Sequence, residues 1–141
     1  MVRSQASPGL TIAGLASAGG VGVETIRYYQ RRGLLRTPAR PQSHGLGGGV
    51  RRYDESDIHT LRFIRSAQAA GFKLDEIAEL IALQQRDDRA RARELARERV
   101  AALDAQIAAL TTARDALLKL EHACARTTAG ACPIFSAFEP A

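Results

Sequence analysis

Apolar residues recur at helical spacing in two short segments near the start of the chain. In residues 11–18 they return every third or fourth position, which predicts a short helix with one buried face. The glycine pair at residues 19–20 can end this helix and form a tight turn. Beyond the turn, Val23 and Ile26 supply the apolar side of a second helix over residues 23–32. Two short helices joined in this way are typical of a helix-turn-helix module.

The outward side of the second predicted helix is polar and cationic. Its outward positions are Thr25, Arg27, Tyr28, Arg31 and Arg32. A solvent-exposed charged helix usually alternates acidic and basic residues, whereas Glu24 is the only acid here. This surface favours contact with the phosphates and base edges of DNA.

A small hairpin is predicted after the second helix. Residues 34–36 and 50–53 are separated by a stretch rich in Pro, Ser and Gly, so they can pair as two strands. Arg51, Arg52 and Tyr53 offer two guanidinium groups and a hydroxyl, which suit the phosphates of a DNA backbone. We interpret the segment as the wing of a winged helix. The glycine run between the two strands is also typical of a flexible linker, which is the alternative interpretation.

Two further helices complete this part of the chain. Asp54 and Ser56 are suitable caps for a third helix, whose apolar residues recur at helical spacing. A fourth helix begins at residues 73–76, with two acids in its first turn. Residues 11–83 are thus predicted to form one compact helical unit with a small hairpin, preceded by a flexible arm at residues 1–10.

A long helix is predicted within residues 84–122, where Gly and Pro are absent. Its roughly 35 central residues would span about 50 Å, more than the compact unit needs to cover. Apolar residues spaced four, three, four and three apart form a coiled-coil seam, which consists of Ala96, Val100, Leu103, Ile107 and Leu110. After Leu110 the apolar repeat loses its phase. A seam without a partner in the same chain predicts a two-fold homodimer, parallel or antiparallel. A helix packed back on its own domain is the alternative.

The net charge of +5 is concentrated in the first half of the chain. Residues 1–70 carry ten basic and four acidic residues, whereas residues 71–141 carry ten basic and eleven acidic residues. This asymmetry favours a polyanionic partner for the first half. No apolar run approaches the ~20 residues that cross a bilayer, and no secretory signal is present, so we expect a cytoplasmic protein without a membrane partner. In that reducing compartment Cys124 and Cys132 are expected to be free thiols.

Four motifs, in order and spacing, resemble the MerR family of transcription regulators. They are Thr11–Ala16, Gly20–Leu35 with its Val-Glu-Thr-Ile-Arg-Tyr-Tyr core, Arg51–Tyr53, and Phe63–Ile77. The resemblance covers nearly the whole chain and is strongest to the mercury-responsive branch. It implies a mainly α-helical fold, in which a winged helix-turn-helix DNA-binding domain is followed by a long dimerisation helix that forms an antiparallel coiled coil.

The resemblance also implies a mechanism without enzymatic chemistry, and the sequence contains no catalytic constellation. A homodimer would hold double-stranded promoter DNA whose recognition elements are too far apart for RNA polymerase to use. An inducer would make it twist and kink that DNA, at a cost of about 1–6 kcal/mol, so that RNA polymerase can use the promoter. By position, the resemblance implies that Thr25, Arg27, Tyr28 and Arg31 face the major groove or its phosphates, and that Arg51, Arg52 and Tyr53 face the flanking backbone.

The C-terminal segment, residues 123–141, resembles the metal-binding loop and lid of the metal-sensing branch. Cys124 and Cys132 are soft ligands that suit Cu(I), Ag(I), Au(I) or Hg(II), which accept two sulfurs in a line. Pro133 fixes the exit of the loop, and the apolar residues after it are expected to cover the ion. His122 is a candidate third ligand, although a histidine at a helix end more often interacts with the helix dipole.

The loop departs from the mercury-sensing pattern in two ways. Seven residues separate the cysteines, as in the copper-sensing members, whereas the mercury-sensing pattern has one more. Divalent sensors also carry a cysteine at the start of the long helix, where this chain has Asp87–Arg93 without one. These differences favour a monovalent coinage-metal ion, with Hg(II) as the alternative. A thiol redox sensor, in which the two cysteines oxidise to a disulfide, is a second alternative.

Overall fold

The computed structural model describes residues 9–41 and 49–140. Within these ranges the backbone forms no strand and six α-helices: α1 Ile12–Gly19, α2 Val23–Arg31, α3 Glu55–Ala69, α4 Leu74–Gln85, α5 Arg89–Arg126 and α6 Pro133–Ala137. The chain divides into two compact units, residues 1–95 and residues 96–141. Residues 1–8 of the predicted arm and residues 42–48 of the loop between α2 and α3 lie outside the described residues. The predicted mainly helical class is confirmed.

The first two helices form the predicted helix-turn-helix. Thr11 caps α1, because its hydroxyl oxygen accepts a hydrogen bond from the N–H of Gly14 at 3.1 Å. Gly20 then ends α1 with a φ of 66°, in the left-handed region that favours glycine. After the turn, α2 buries Ile26 and Tyr29 in the core. The Thr11 cap and the Gly20 turn therefore fix the two ends of α1, and the two buried side chains determine which side of α2 faces outward.

The third and fourth helices begin with side-chain caps. The carboxylate of Asp54 accepts the N–H of Asp57 at 3.2 Å, while the carboxylate of Asp57 accepts the N–H of Asp54 at 2.8 Å. The carboxylate of Glu76 accepts the N–H of Lys73 at 2.6 Å. Contacts of α1 with α2 and α3, and of α3 with α4, enclose one core. Its fully buried side chains are Leu15, Ile26, Tyr53, Leu61, Ile64 and Ile77.

Gly19 lies against Leu61, where a larger side chain has no room. A Cβ at position 19 would overlap Cδ2 of Leu61 and lie 2.7 Å from its Cγ. We expect Gly19→Ala to lower the free energy of unfolding by about 1–3 kcal/mol, because overpacking displaces a buried side chain. Chemical denaturation of this variant beside Gly22→Ala measures the effect, since a Cβ at Gly22 meets nothing within 4 Å. Equal stabilities of the two variants would contradict the expected overlap.

The predicted hairpin between residues 34–36 and 50–53 is wrong. Leu34 and Leu35 are buried, and their N–H groups both point to the carbonyl of Tyr29, at 2.9 and 3.4 Å. These donors close the end of α2, so they cannot form the ladder of a strand. The sequence pattern was compatible with a strand, but the turn that ends α2 uses the same backbone groups.

Tyr53 pairs with Leu10 instead, through two backbone hydrogen bonds of 2.8 Å in an antiparallel bridge. Leu10, which the sequence analysis assigned to the flexible arm, is therefore part of the fold. The two flanks of the loop between α2 and α3 still meet, because Nε of Arg51 donates to the carbonyl of Pro38 at 2.9 Å. A side chain, rather than a strand ladder, joins these flanks.

The longest helix, α5, carries the predicted seam. Its 38 residues extend about 57 Å, and it ends one turn later than predicted. Leu95 is its only buried residue. By contrast, the seam residues Val100, Ile107 and Leu110 are 55, 61 and 70 % exposed. Neither α5 nor any other helix in the described ranges is long and apolar enough to cross a membrane.

Candidate DNA interface and thiol site

The α2 helix presents its polar side chains outward because its apolar residues occupy the opposite side. Ile26 and Tyr29 are 0 and 3 % exposed. The accessible predicted DNA contacts are half-buried Thr25 and exposed Arg27, Tyr28 and Arg31. These four side chains lie within one side of the helix, since their positions fall on less than half of its circumference. The structure thus gathers them on a surface that a DNA groove can approach.

Two arginines of this region form ion pairs within the chain. Nη1 of Arg27 lies 3.3 Å from the carboxylate of Glu24, and both groups are largely exposed. Such a pair is weak in water, so a DNA phosphate can replace it. Arg32, directly after α2, pairs with Asp75 in the first turn of α4. Arg32 was predicted to lie outward with the DNA contacts, but its guanidinium connects two elements of the fold.

The prediction that Tyr53 contacts the DNA backbone is corrected by its burial. Tyr53 is 2 % exposed, and its hydroxyl accepts a hydrogen bond from Nε2 of Gln30 at 2.9 Å. Its ring fills the core that the flanking helices share. The neighbouring Arg51 is half-buried and Arg52 is exposed, with Nη1 of Arg52 donating to the carbonyl of Gly9 at 3.2 Å. Both guanidinium groups therefore stay within reach of solvent, unlike Tyr53.

An ion pair between Arg36 and the buried Asp57 was not predicted from the sequence. Arg36 donates from Nε and Nη2 to the two carboxylate oxygens of Asp57, each at 2.7 Å, and the Asp57 side chain is 4 % exposed. The hydrogen bond to Asp57 raises the pKa of Arg36. A sequence signal existed, because Asp57, Leu61 and Ile64 are four and three positions apart and so share the buried face of α3. An acid on such a face requires a cationic partner.

Two adjacent residues of α2 join the helix to its surroundings. The hydroxyl of Tyr29 donates to Oε1 of Gln68 on α3 at 2.8 Å. Nε2 of Gln30 donates to the hydroxyl of Tyr53 at 2.9 Å and to the carbonyl of Arg36 at 3.2 Å. Because Arg36 lies in the first part of the loop between α2 and α3 and Tyr53 lies near its end, Gln30 holds both flanks of that loop against α2.

The two cysteines meet where α5 ends and α6 begins. Cys124 lies near the end of α5, and Cys132 is the N-cap residue of α6. Their Sγ atoms are 3.1 Å apart, and both residues are unbonded, half-buried thiols. The hydrogen bond between the two sulfurs lowers the pKa of Cys132, with help from the N–H groups of Ile134 and Phe135, and raises the pKa of Cys124. Cys132 is thus the more acidic thiol of the pair.

A third ligand does not join the cysteines. The described residues contain no group of three His, Cys, Asp or Glu side chains placed to hold a metal ion. His122, the predicted candidate, is exposed and lies 3.5 Å from the carboxylate of Glu121. Its side chain does not join the two sulfurs in this structure, and ligation by His122 stays a prediction. The site of one chain therefore offers two sulfurs.

The predicted apolar lid over the cysteines is formed only in part. Ile134 is half-buried, but Phe135 and Phe138 are 74 and 70 % exposed. The short α6 turns these two rings toward solvent instead of toward the thiols. The cysteines consequently stay accessible to an ion or an oxidant.

The separation of the two sulfurs is compatible with two reactions. A metal–sulfur distance of about 2.3 Å would place two linear ligands about 4.6 Å apart. The Sγ atoms would then have to separate by about 1.5 Å from their present 3.1 Å. A disulfide, at about 2.05 Å, would require them to approach by about 1 Å. Either change is small for two side chains connected by a loop.

Two family models match overlapping parts of the chain. The model described as MerR HTH family regulatory protein matches residues 10–84, and the model described as MerR, DNA binding matches residues 58–120. The chain belongs to the MerR family. The resemblance carried by the four sequence motifs is thereby confirmed.

This MerR family member has relatives of similar length. The mercuric resistance operon regulatory protein of Shigella flexneri is 41 % identical over 92 % of this chain and 88 % of its own length. The HTH-type transcriptional regulator HmrR of Rhizobium leguminosarum bv. viciae is 36 % identical over 89 % of this chain and 94 % of its own.

Solved structures show the same fold. The regulator PbrR691 from Ralstonia metallidurans CH34, in complex with lead(II), has a TM-score of 0.68 and 27 % identity, covering 92 % of this chain and 99 % of its own. The regulator MerR from Bacillus megaterium MB1, in complex with mercury(II), has a TM-score of 0.62 and 26 % identity, covering 86 % of this chain and 93 % of its own.

Proposed function

We propose that this MerR family member is a homodimeric, metal-responsive transcription regulator. It binds a palindromic promoter through α2 and activates transcription by distorting the DNA when a soft metal ion binds Cys124 and Cys132. The observation that carries the proposal is the thiol pair, 3.1 Å apart, on a chain that also presents a cationic helix-turn-helix. Relatives that are mercuric resistance regulators support the same function.

The inducer in this proposal is an ion that accepts two thiolate ligands. Hg(II), Cu(I), Ag(I) and Au(I) accept two sulfurs, whereas zinc normally takes four ligands. The cysteine spacing favoured a monovalent ion, but the comparisons give no support to copper, and mercuric resistance regulators are 41 % identical. Two thiolates also neutralise Hg(II) fully, which suits a half-buried site. Hg(II) is therefore the first ion to test, and Cu(I) is the second.

A transcription experiment tests this proposal. Reduced protein is mixed with RNA polymerase and a duplex that carries the promoter of its own operon, and Hg(II), Cu(I) or Zn(II) is then added. We expect transcript to rise with Hg(II) or Cu(I) while the protein stays bound, and Zn(II) to have no effect. Absence of DNA binding, or an unchanged transcript level with every soft ion, would contradict the proposed function.

The exposed seam of α5 is proposed to pair with a second copy of the chain. Ile107→Asp is expected to weaken dimerisation by at least about 100-fold, because it would bury an unpaired carboxylate. Sedimentation velocity over a range of concentrations measures the change. Ala105→Asp is the matched control, since it adds the same charge to α5 away from the seam. Equal dimer affinity in the two variants would exclude this seam.

A thiol redox regulator is the second candidate function, and the 3.1 Å separation of the sulfurs favours it. Hydrogen peroxide would accept two electrons and two protons from the thiols of Cys124 and Cys132, forming a disulfide and two water molecules. Transcription induced by peroxide in the absence of soft metal would support this function. Induction by metal under reducing conditions would support the metal sensor instead.

A further inference from the structure

A concave surface encloses a volume of 350 Å³ between α2 and the two flanks of the α2–α3 loop. Three arginines from three separate segments line it. Arg27 comes from α2, Arg40 from the first flank of the α2–α3 loop, and Arg51 from the second flank. We call this surface the arginine cleft. Gln30 and Tyr53 form part of its wall.

The arginine cleft lacks acidic side chains to balance its charge. None of the described residues that line it is Asp or Glu. Arg27 has one exposed ion pair, with Glu24, and neither Arg40 nor Arg51 has an acidic partner in the described part of the chain. Nε of Arg51 donates to Pro38, which leaves its terminal N–H groups for another acceptor. Because three like charges repel, an anion in the cleft is electrostatically favoured.

A phosphate group is the anion that best fits these donors. Guanidinium groups present planar pairs of N–H donors that match two phosphate oxygens. Arg27 also belongs to the outward side of α2, so the cleft continues the surface that faces DNA in the proposed function. A phosphate of the DNA backbone can therefore reach the cleft when α2 lies in a groove.

We propose that Arg27, Arg40 and Arg51 together bind one phosphate group of the promoter backbone. The inference rests on the proposed DNA-binding function and adds Arg40, which no sequence motif assigned. Gln30 is a positioning residue for this site. Its two hydrogen bonds, to Tyr53 and to the carbonyl of Arg36, hold both flanks of the loop at the distance that brings Arg40 and Arg51 toward Arg27.

Arg40→Gln tests the site without disturbing the core, because Arg40 is exposed. The affinities for the promoter and for an unrelated duplex are measured at salt concentrations between about 50 and 300 mM. In about this range the release of counterions from DNA dominates the salt dependence of the affinity. We expect about tenfold weaker binding to both duplexes. The slope of log affinity against log salt should fall by about 0.9, the contribution of one phosphate contact.

Arg86→Gln is the matched control, because it removes the same charge from an exposed position at the end of α4, outside the cleft. If Arg40→Gln and Arg86→Gln have the same affinities and slopes, the phosphate site is excluded while DNA binding stands. If the wild-type protein binds neither duplex, the proposed function itself fails. The two failures are thus distinguishable.

Gln30→Leu tests the positioning role. This variant keeps the net charge, so a purely structural role would leave the salt slope unchanged. We expect its slope to fall by about 0.9, because the arginines no longer converge on one phosphate. A wild-type slope in Gln30→Leu would exclude the positioning role.

Inorganic phosphate distinguishes a DNA site from a site for a free anion. The protein without DNA is titrated with millimolar phosphate at constant ionic strength, and its melting temperature is followed. We expect the melting temperature to shift only slightly, and by the same amount, in the wild-type protein and in Arg40→Gln. A saturable shift that is lost in Arg40→Gln, together with an unchanged salt slope on DNA, would overturn the assignment to the promoter backbone.

Discussion

Replacing either Cys124 or Cys132 with serine is expected to lower the affinity for Hg(II) or Cu(I) by about 10²–10⁴-fold, because the second sulfur binds intramolecularly at high effective concentration. The described residues provide no third ligand that could compensate. A hydroxyl is also a harder and much weaker ligand for a soft ion than a thiolate. Metal competition followed by sulfur-to-metal absorption measures the loss.

Promoter binding by the two serine variants is expected to remain at the wild-type level, because α2 and its cap belong to residues 1–95 and the thiols to residues 96–141. Metal-induced transcription should disappear in both variants. Thr128→Ser is the matched control, since it changes an exposed residue of the same loop and keeps both sulfurs. Normal induction in either cysteine variant would show that the inducer binds elsewhere.

Replacing Asp57 with alanine is expected to lower the free energy of unfolding of residues 9–95 by about 2–4 kcal/mol. The buried carboxylate accepts two hydrogen bonds from Arg36 and one from the N–H of Asp54. Alanine leaves that N–H without its acceptor, and the Arg36 guanidinium keeps only its longer contact of 3.4 Å with the carboxylate of Asp54. Because the carbonyl of Arg36 also accepts from Gln30, the variant should weaken DNA binding as well.

Asp57→Asn distinguishes the contribution of the side chain's charge to stability from the contribution of its shape. Asparagine still offers one oxygen to the N–H of Asp54, so we expect a smaller loss of stability than in Asp57→Ala. Glu55→Ala, which removes an exposed acid from the same helical turn, should change stability by less than about 0.5 kcal/mol. Urea denaturation of the three variants gives the order. Equal losses in Asp57→Ala and Glu55→Ala would mean that the buried ion pair contributes nothing.

The helices could be predicted because their signals are local. Thr11 and Asp54 cap helices, Gly20 ends one, and the apolar residues between them keep a helical period. Each signal acts within a few residues of the structure it determines, so a single sequence is enough to find it.

The failures concern groups whose partners the residue pattern does not reveal. The hairpin was wrong because the N–H groups of Leu34 and Leu35 close the end of α2, a use that the strand pattern does not reveal. Tyr53 was placed on the surface because its hydroxyl suits a phosphate, although the bridge to Leu10 draws its ring into the core. The buried Asp57 escaped notice because its partner Arg36 precedes it by 21 positions.

The closeness of the two cysteines could be predicted, but the surroundings of their sulfurs could not. Two cysteines on a short loop must lie close together, and their sulfurs are 3.1 Å apart. The direction of the following apolar residues depends on α6, which is too short to show a period. Phe135 and Phe138 therefore point outward where a lid was expected.

The position of Cys132 as the N-cap of α6 has a consequence for the chain itself. An ion held by Cys124 and Cys132 would act as a cross-link between the end of one helix and the start of the next. Closing so short a loop costs little chain entropy. At a free-ion concentration of about 100 times the dissociation constant, binding adds about 2.7 kcal/mol to the stability of the folded structure that holds the ion. The order of the chain terminus, measured by resistance to carboxypeptidase, should therefore rise and fall with the concentration of free metal.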